Sequence, residues 1–294
     1  MAHSHSHSHA HPPRPDGTGG GQQDGLTEML DLDAAVFGPY LATVTDRIAR
    51  LAGDGVTRIV DLGAGTGTGT FALLERFPAA RVTAVDSSPE MLARLTAAAR
   101  DRGTAERVRT LRADADEALA GLTDTDLVWA SASLHHLDDP GGTLAAIRSA
   151  LRPGGLLAVA EMDGVPRFLP GDAVADRPGL EDRLRAALDE LHAEAVPHLG
   201  ADWGVRLTAA GFTVERADTT RLELRAPLPE GTGRYAFLTL TRVRDALDGR
   251  ADPADLAALG LLLDGGPHDV RHREDLAVRS GRELWVARRP VDGP

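Results

Sequence analysis

The chain has 294 residues, 42% of them apolar, enough for one large domain with a real core or two smaller ones. Its 44 acidic residues outnumber its 32 basic ones, and a net charge of −12 argues against a phosphate-backbone partner, since nucleic-acid binders carry a basic face. Cys, Lys and Asn are absent, which removes disulfides, thiolate metal sites, a Cys nucleophile, Schiff-base chemistry and a P-loop lysine.

Residues 1–25 form a low-complexity tail with His at 3, 5, 7, 9 and 11, followed by Pro and then Gly. Such a segment cannot bury apolar surface, so disorder is expected. Its imidazoles would chelate Ni²⁺, Cu²⁺ or Zn²⁺, either as a tag or accidental chelator or in a metal-handling role. No later stretch supplies a matching metal cluster, so no metal site is expected in the domain that follows. No run approaches the ~18 apolar residues of a membrane span, and the tail has no signal-peptide core. A soluble cytoplasmic protein without a membrane partner is the expectation.

From Leu26 the pattern changes. Apolar residues at helical spacing over Leu26–Leu51 predict a helix interrupted near Gly38-Pro39. Strands and helices then alternate: strand Thr57–Leu62, helix Thr68–Phe77, strand Arg81–Asp86, and a helix capped by Ser88 with Pro89 at its first position. Further strands are expected at Arg107–Arg112, Asp126–Ala130 and Leu156–Glu161, with helices at Asp116–Gly121 and Gly142–Leu151 between them. Strands separated by helices imply right-handed crossovers and a parallel, doubly wound α/β sheet. Beyond it, Trp203–Ala210 reads as helix, Phe212–Leu224 as a long strand and Glu283–Arg288 as a last short one. Two insertions, about 163–199 and 225–281, carry helical patterns at Leu180–Val196, Arg234–Leu247 and Pro253–Leu263. Both leave the sheet edge where ligands of open α/β sheets bind, so they are expected to form a substrate lid.

The strongest local signal is DLGAGTG at residues 61–67, between a strand and a helix. Glycines let the backbone approach a ligand and adopt positive φ, and the following helix N-terminus offers free N–H groups. A tight turn with no ligand would look similar. The dinucleotide pattern G-x-G-x-x-G is not met, because its third glycine falls on Thr68 or Thr70. Asp61 would repel a pyrophosphate but suits a ligand carrying an ammonium, which tilts the choice away from nicotinamide and flavin cofactors. The second strand ends in Asp86, whose carboxylate can accept from both ribose hydroxyls. The third leads to Asp114, which can accept from an exocyclic adenine amine. Singly each is a surface acid or a helix cap; three at one sheet edge form a nucleoside site.

These residues, with VDSSPEM (85–91), RADA (112–115), DLVWASASLHHLDDP (126–140) and LRPGGLLAVAE (151–161), resemble the motifs of the class I S-adenosylmethionine-dependent methyltransferases in order and spacing. The resemblance is close over residues 26–161 and loose afterwards. It implies a seven-stranded, mostly parallel Rossmann-like sheet with an antiparallel last strand, a cofactor-binding part over 26–162 of a domain spanning 26–294, and S-adenosylmethionine as cofactor. By the same resemblance Gly63, Ala64 and Gly65 contact the methionine portion with Asp61 near its amine. Asp86 holds the ribose with Ser87 beside it, Asp114 and the Ala115 backbone read adenine, and Ser131 borders the sulfonium.

Methyl transfer from a sulfonium needs alignment and a dry pocket, and a base only where the acceptor must lose a proton. His135, His136 and Glu161, all at strand ends, are the candidates; the histidines could instead cap the following turn. The missing Asn disfavours amino-group methylation of adenine or glutamine, and the missing Cys disfavours methylation of cytosine C5 or of arsenic. With aromatics at 4%, RNA stacking is disfavoured as well. A small-molecule acceptor is left. The competing readings are a methyltransferase-like protein that binds the cofactor without transfer, and metal handling by the tail.

Overall fold

The structure, a computed structural model, describes residues 19–291. Residues 1–18 and 292–294 lie outside the described residues, and with them the histidines of the tail and the disorder and metal chemistry expected there; residues 19–25, also expected to be disordered, are helical.

The apolar strand runs pair as expected. Strands β1 (Arg58–Leu62), β2 (Arg81–Asp86), β3 (Val108–Arg112), β4 (Thr125–Ser131) and β5 (Leu151–Met162) are mutually parallel, and β6 (Thr213–Leu224) and β7 (Val278–Arg288) complete one seven-stranded sheet of order β3-β2-β1-β4-β5-β7-β6. β7 runs antiparallel to both of its neighbours. The central β4 is buried for six of its seven residues, as helices on both faces require, whereas edge strand β6 alternates exposed and half-buried positions.

Helices α2 (Thr68–Arg76), α3 (Pro89–Asp101), α4 (Ala115–Ala120), α5 (Pro140–Ala150) and α7 (Trp203–Ala209) are the crossovers, and α6 (Leu180–Ala195), α8 (Thr232–Ala246) and α9 (Pro253–Leu261) lie in the insertions. Ser88 caps α3 by accepting from the Met91 amide, with Pro89 at the first turn as expected. Among the described residues no helix is long and apolar enough to cross a membrane.

Three expectations need correction. Helix α1 spans Gly19–Ala52 without a break, so it begins before the expected boundary at Leu26 and carries Pro39 in its interior. The lost backbone bond is offset by packing: Val36, Phe37, Val44 and Ile48 are all buried. Strand β5 starts at Leu151, five residues early, where a Cβ on Gly155 would lie 2.9 Å from the Arg152 carbonyl and 3.0 Å from that of Thr125. Strand β7 starts at Val278, which shortens the second insertion to 225–277.

The apolar side chains gather in three clusters. One lies on the sheet face covered by α1, α2 and α3, around Val44, Ile48, Phe71, Leu95 and Trp129. Another joins α4, α5 and α7 to the opposite face through Leu119, Ile147 and Trp203. The third is built by the insertions, with Phe168, Leu184, Leu240 and Leu259 packed around Val36 and Phe37 of α1. Helix α1 therefore belongs to the sheet at one end and to the insertions at the other.

Candidate functional site

Between β1 and α2 the chain turns through three glycines with positive φ: Gly63 (70°), Gly65 (53°) and Gly67 (97°). The amides of Gly63 and Ala64 both donate to the Val85 carbonyl at 2.9 Å, which pulls the turn over the end of β2. A Cβ on Gly63 would come within 2.6 Å of the Ser133 Cβ, so the turn tolerates no side chain there. Asp86 completes the arrangement: one carboxylate oxygen accepts from the Gly65 amide at 2.8 Å and the other from the Ser88 amide at 2.9 Å. A carboxylate has about four acceptor sites, so Asp86 can shape the turn and still receive a ligand hydroxyl.

Asp61 stands beside Trp129 in the β1–β4 register and is 2% exposed. Burial pushes its carboxyl up to about 7; the Thr70 hydroxyl, donating at 2.6 Å, opposes the shift and the Asp86 charge adds to it. The Trp129 indole N–H is buried without a partner. Gly69 passes so close that a Cβ there would lie 3.3 Å from the Asp61 carboxylate. A buried acid that receives one hydroxyl donor keeps acceptor sites free for a cationic ligand group, whereas the indole N–H, a donor, would need an acceptor atom. Asp114 occupies the N-cap position of α4 but makes no side-chain capping bond. Its carboxylate is thus not consumed by the helix.

These groups border one cavity of about 870 Å³, within the ~300–1,000 Å³ usual for small-molecule sites. Asp61, Gly63, Ala64, Gly65, Asp86, Ser87, Asp114, Ala115 and Ser131 all line it. Of the proposed catalytic residues, Glu161 and His136 are on its wall, whereas His135 stands behind it. The His135 ring meets Glu161 through Nδ1 at 2.6 Å, and the other Glu161 oxygen accepts from the Leu134 amide at 3.0 Å. The His136 ring lies 4.1 Å from that of His135. Burial and then the neighbouring imidazole hold His136 below the usual range, against an opposing pull from Glu161, which favours its neutral form.

The far end of the cavity was not anticipated. Helix α1 presents Met29, Asp33, Phe37, Tyr40 and Val44 to it, α8 presents Tyr235 and Thr239, and β7 presents Arg282. The Arg282 guanidinium donates to Asp33 Oδ1 at 2.8 Å, and the Tyr235 hydroxyl donates to the same oxygen at 2.6 Å. Arg282 also lies over the Phe37 ring, 4.3 Å from its centroid. Burial and the Asp33 charge push the Tyr235 phenol well above its ordinary value, and burial raises that of Tyr40. The spacing of 29, 33, 37, 40 and 44 is one helical stripe and was readable as a face; that the face borders a ligand cavity was not.

Known proteins resemble this chain in sequence and in fold. The methyltransferase-domain family model matches residues 60–157. A trans-aconitate 2-methyltransferase from Methylobacterium nodulans is 33% identical over 241 residues, covering 78% of this chain and 87% of the relative. Relatives of the same description from Enterobacter sp. (34% identity, 56% of this chain) and Azoarcus sp. (40% identity, 39% of this chain) are matched over only 65% and 42% of their own lengths. Among solved structures, a Bacillus halodurans protein provisionally described as a methyltransferase superposes with a TM-score of 0.52 at 18% identity, covering 84% of this chain and 99% of that one. One from Galdieria sulphuraria, provisionally described as a sarcosine dimethylglycine methyltransferase, superposes with 0.51 at 16% identity, covering 86% of each chain. With its glycine turn, its strand-end acids and its reversed last strand, the chain belongs to the class I S-adenosylmethionine-dependent methyltransferases.

Proposed function

We propose that the chain transfers a methyl group from S-adenosylmethionine to a small organic acid held at the α1–α8–β7 end of the cavity. The observation that carries this reading is the continuity of one cavity from the glycine turn and strand-end aspartates to the Arg282 cluster. The relatives' shared description as trans-aconitate 2-methyltransferases supports an acid as acceptor.

When bound, the cofactor supplies an electrophilic methyl group on a positively charged sulfur. The residues present fit it: buried Asp61 would take the ammonium, Asp86 the ribose hydroxyls, and Asp114 with the Ala115 backbone the adenine. Ser131, at the end of β4, would border the sulfur. Glu161 and His136 both line the cavity, and His136, whose neutral form is favoured by burial, would accept a proton from an acceptor that must lose one. A carboxylate acceptor is already an anion at neutral pH, and the protein then supplies alignment and exclusion of water. The insertions, packed on α1 through their own apolar cluster, would serve as the lid.

Calorimetric titration with S-adenosylmethionine, S-adenosylhomocysteine and NADPH tests the reading. Binding of the first two alone, followed by methyl-ester formation on an organic acid, is the expected result. Binding of NADPH alone would overturn it.

A further inference from the structure

We infer that Arg282 is the specificity-determining residue of the acceptor site and holds a carboxylate of the organic acid. The inference rests on the methyl-transfer reading for the choice of cavity, but its argument comes from the arginine itself.

Arginines elsewhere in the molecule show how a structural pair is made here. Arg183, Arg271 and Arg273 each grip both oxygens of one carboxylate through two nitrogens, on Asp255, Asp269 and Asp275 respectively. Arg282 is more buried than these, at 9% exposure, yet makes a single bond to Asp33. The oxygen it reaches is shared with the Tyr235 hydroxyl, and its Nε is buried without a partner. A guanidinium has five donors, and leaving them unmatched in a desolvated place is unfavourable. Phe37 covers the cation from one side, and the side chain borders the cavity.

The topology explains why a cation stands there. Because β7 runs against the parallel strands, its beginning lies at their C-terminal ends, and Arg282 pairs with Met162, one residue after Glu161. An underpaired cation thus faces the space next to the cofactor edge. Thr239, on the same wall, has a buried hydroxyl without a partner. A carboxylate supplies two acceptor oxygens in one plane and so matches what Arg282 lacks.

The test uses the full chain saturated with S-adenosylhomocysteine and titrated calorimetrically with succinate, fumarate, citrate and trans-aconitate, and with trimethyl trans-aconitate as the neutral counterpart. At least one acid should bind and the triester should not. Arg282→Met should weaken acid binding by about 10- to 100-fold with cofactor affinity unchanged, Arg282→Lys should recover part of it, and Asp33→Asn should tighten it by freeing the cation. Thermal melts establish that each variant is folded, and Asp33→Asn/Arg282→Met serves if the single change is not. If no acid binds the wild type, or acids bind Arg282→Met equally well, the inference is overturned. Acid binding that depends on Arg282 without any methyl ester formed from S-adenosylmethionine would overturn the methyl-transfer reading alone. Methylation of neutral acceptors that is indifferent to Arg282 would overturn this inference alone. Should S-adenosylhomocysteine fail to bind, the same titrations on the free protein still decide the role of Arg282.

Discussion

Asp61 places a titration within the neutral range inside the cofactor end of the cavity. Its carboxyl is raised from 3.8 to about 7, so the folded protein holds a proton there that the unfolded chain has already lost. Stability from this group is present below pH 4 and declines as pH rises toward 7. At about 1.4 kcal/mol per pH unit, the loss is on the order of 4 kcal/mol. Asp61→Asn should therefore melt higher than the wild type at pH 8, with the difference vanishing at pH 4; a constant offset across that range would show that Asp61 is not buried as an acid. An ammonium arriving beside Asp61 favours the ionised form, so S-adenosylmethionine binding should release a proton at pH 6, seen as a buffer-dependent heat. Asp86 has a double role, since it anchors the amides of Gly65 and Ser88. Asp86→Ala should weaken cofactor binding by at least the 1.5–3 kcal/mol of a charged hydrogen bond, and calorimetry on the folded variant checks this.

At the scale of elements, the glycine turn works through backbone shape. Gly63 combines a φ of 70° with a space closed by the Ser133 side chain. Gly63→Ala should cost about 1–3 kcal/mol of stability and lower cofactor affinity, whereas Gly55→Ala, where nothing lies within 4 Å, should leave affinity unchanged. Comparable loss in both variants, by melting and titration, would mean that the turn is not the constrained element. The features readable from sequence were the local ones: strand runs, the turn, the Ser88 cap, and the acids Asp61, next to last in β1, and Asp86, which ends β2. Each is encoded within a few residues, and the repeated strand–helix alternation brings their ends to one edge. The unbroken α1 was not readable, because the helix is held on both sides of Pro39 by tertiary packing, Val36 and Phe37 against the insertions and Val44 and Ile48 against α2 and the sheet. Arg282 was missed for a related reason. It lies one residue before the expected start of the last strand, and its meaning depends on contacts with Asp33, Phe37 and Met162. His135 is a candidate from its place after β4, with capping as its other reading, and its ring meets Glu161 and does not line the cavity.

At the scale of the whole molecule, the described residues contain no cluster of three or more His, Cys, Asp or Glu able to hold a metal. Metal binding by the full chain should consequently reside in its first residues. Deleting residues 1–18 should abolish Ni²⁺ binding and leave S-adenosylmethionine affinity unchanged; Ni²⁺ retained by the truncated protein would point to a site within the fold. The reversed direction of β7 has a wider consequence. It brings residue 282 next to residue 162, so the cavity's two ends are drawn from separate stretches of chain, 61–161 and 235–282, with α1 touching both. Exchange of everything after residue 162 between two proteins of this architecture would transplant one ligand preference and leave the other in place, and the seam to be re-matched would be helix α1, the β5–β7 pairing and the apolar cluster that α7 shares with β5.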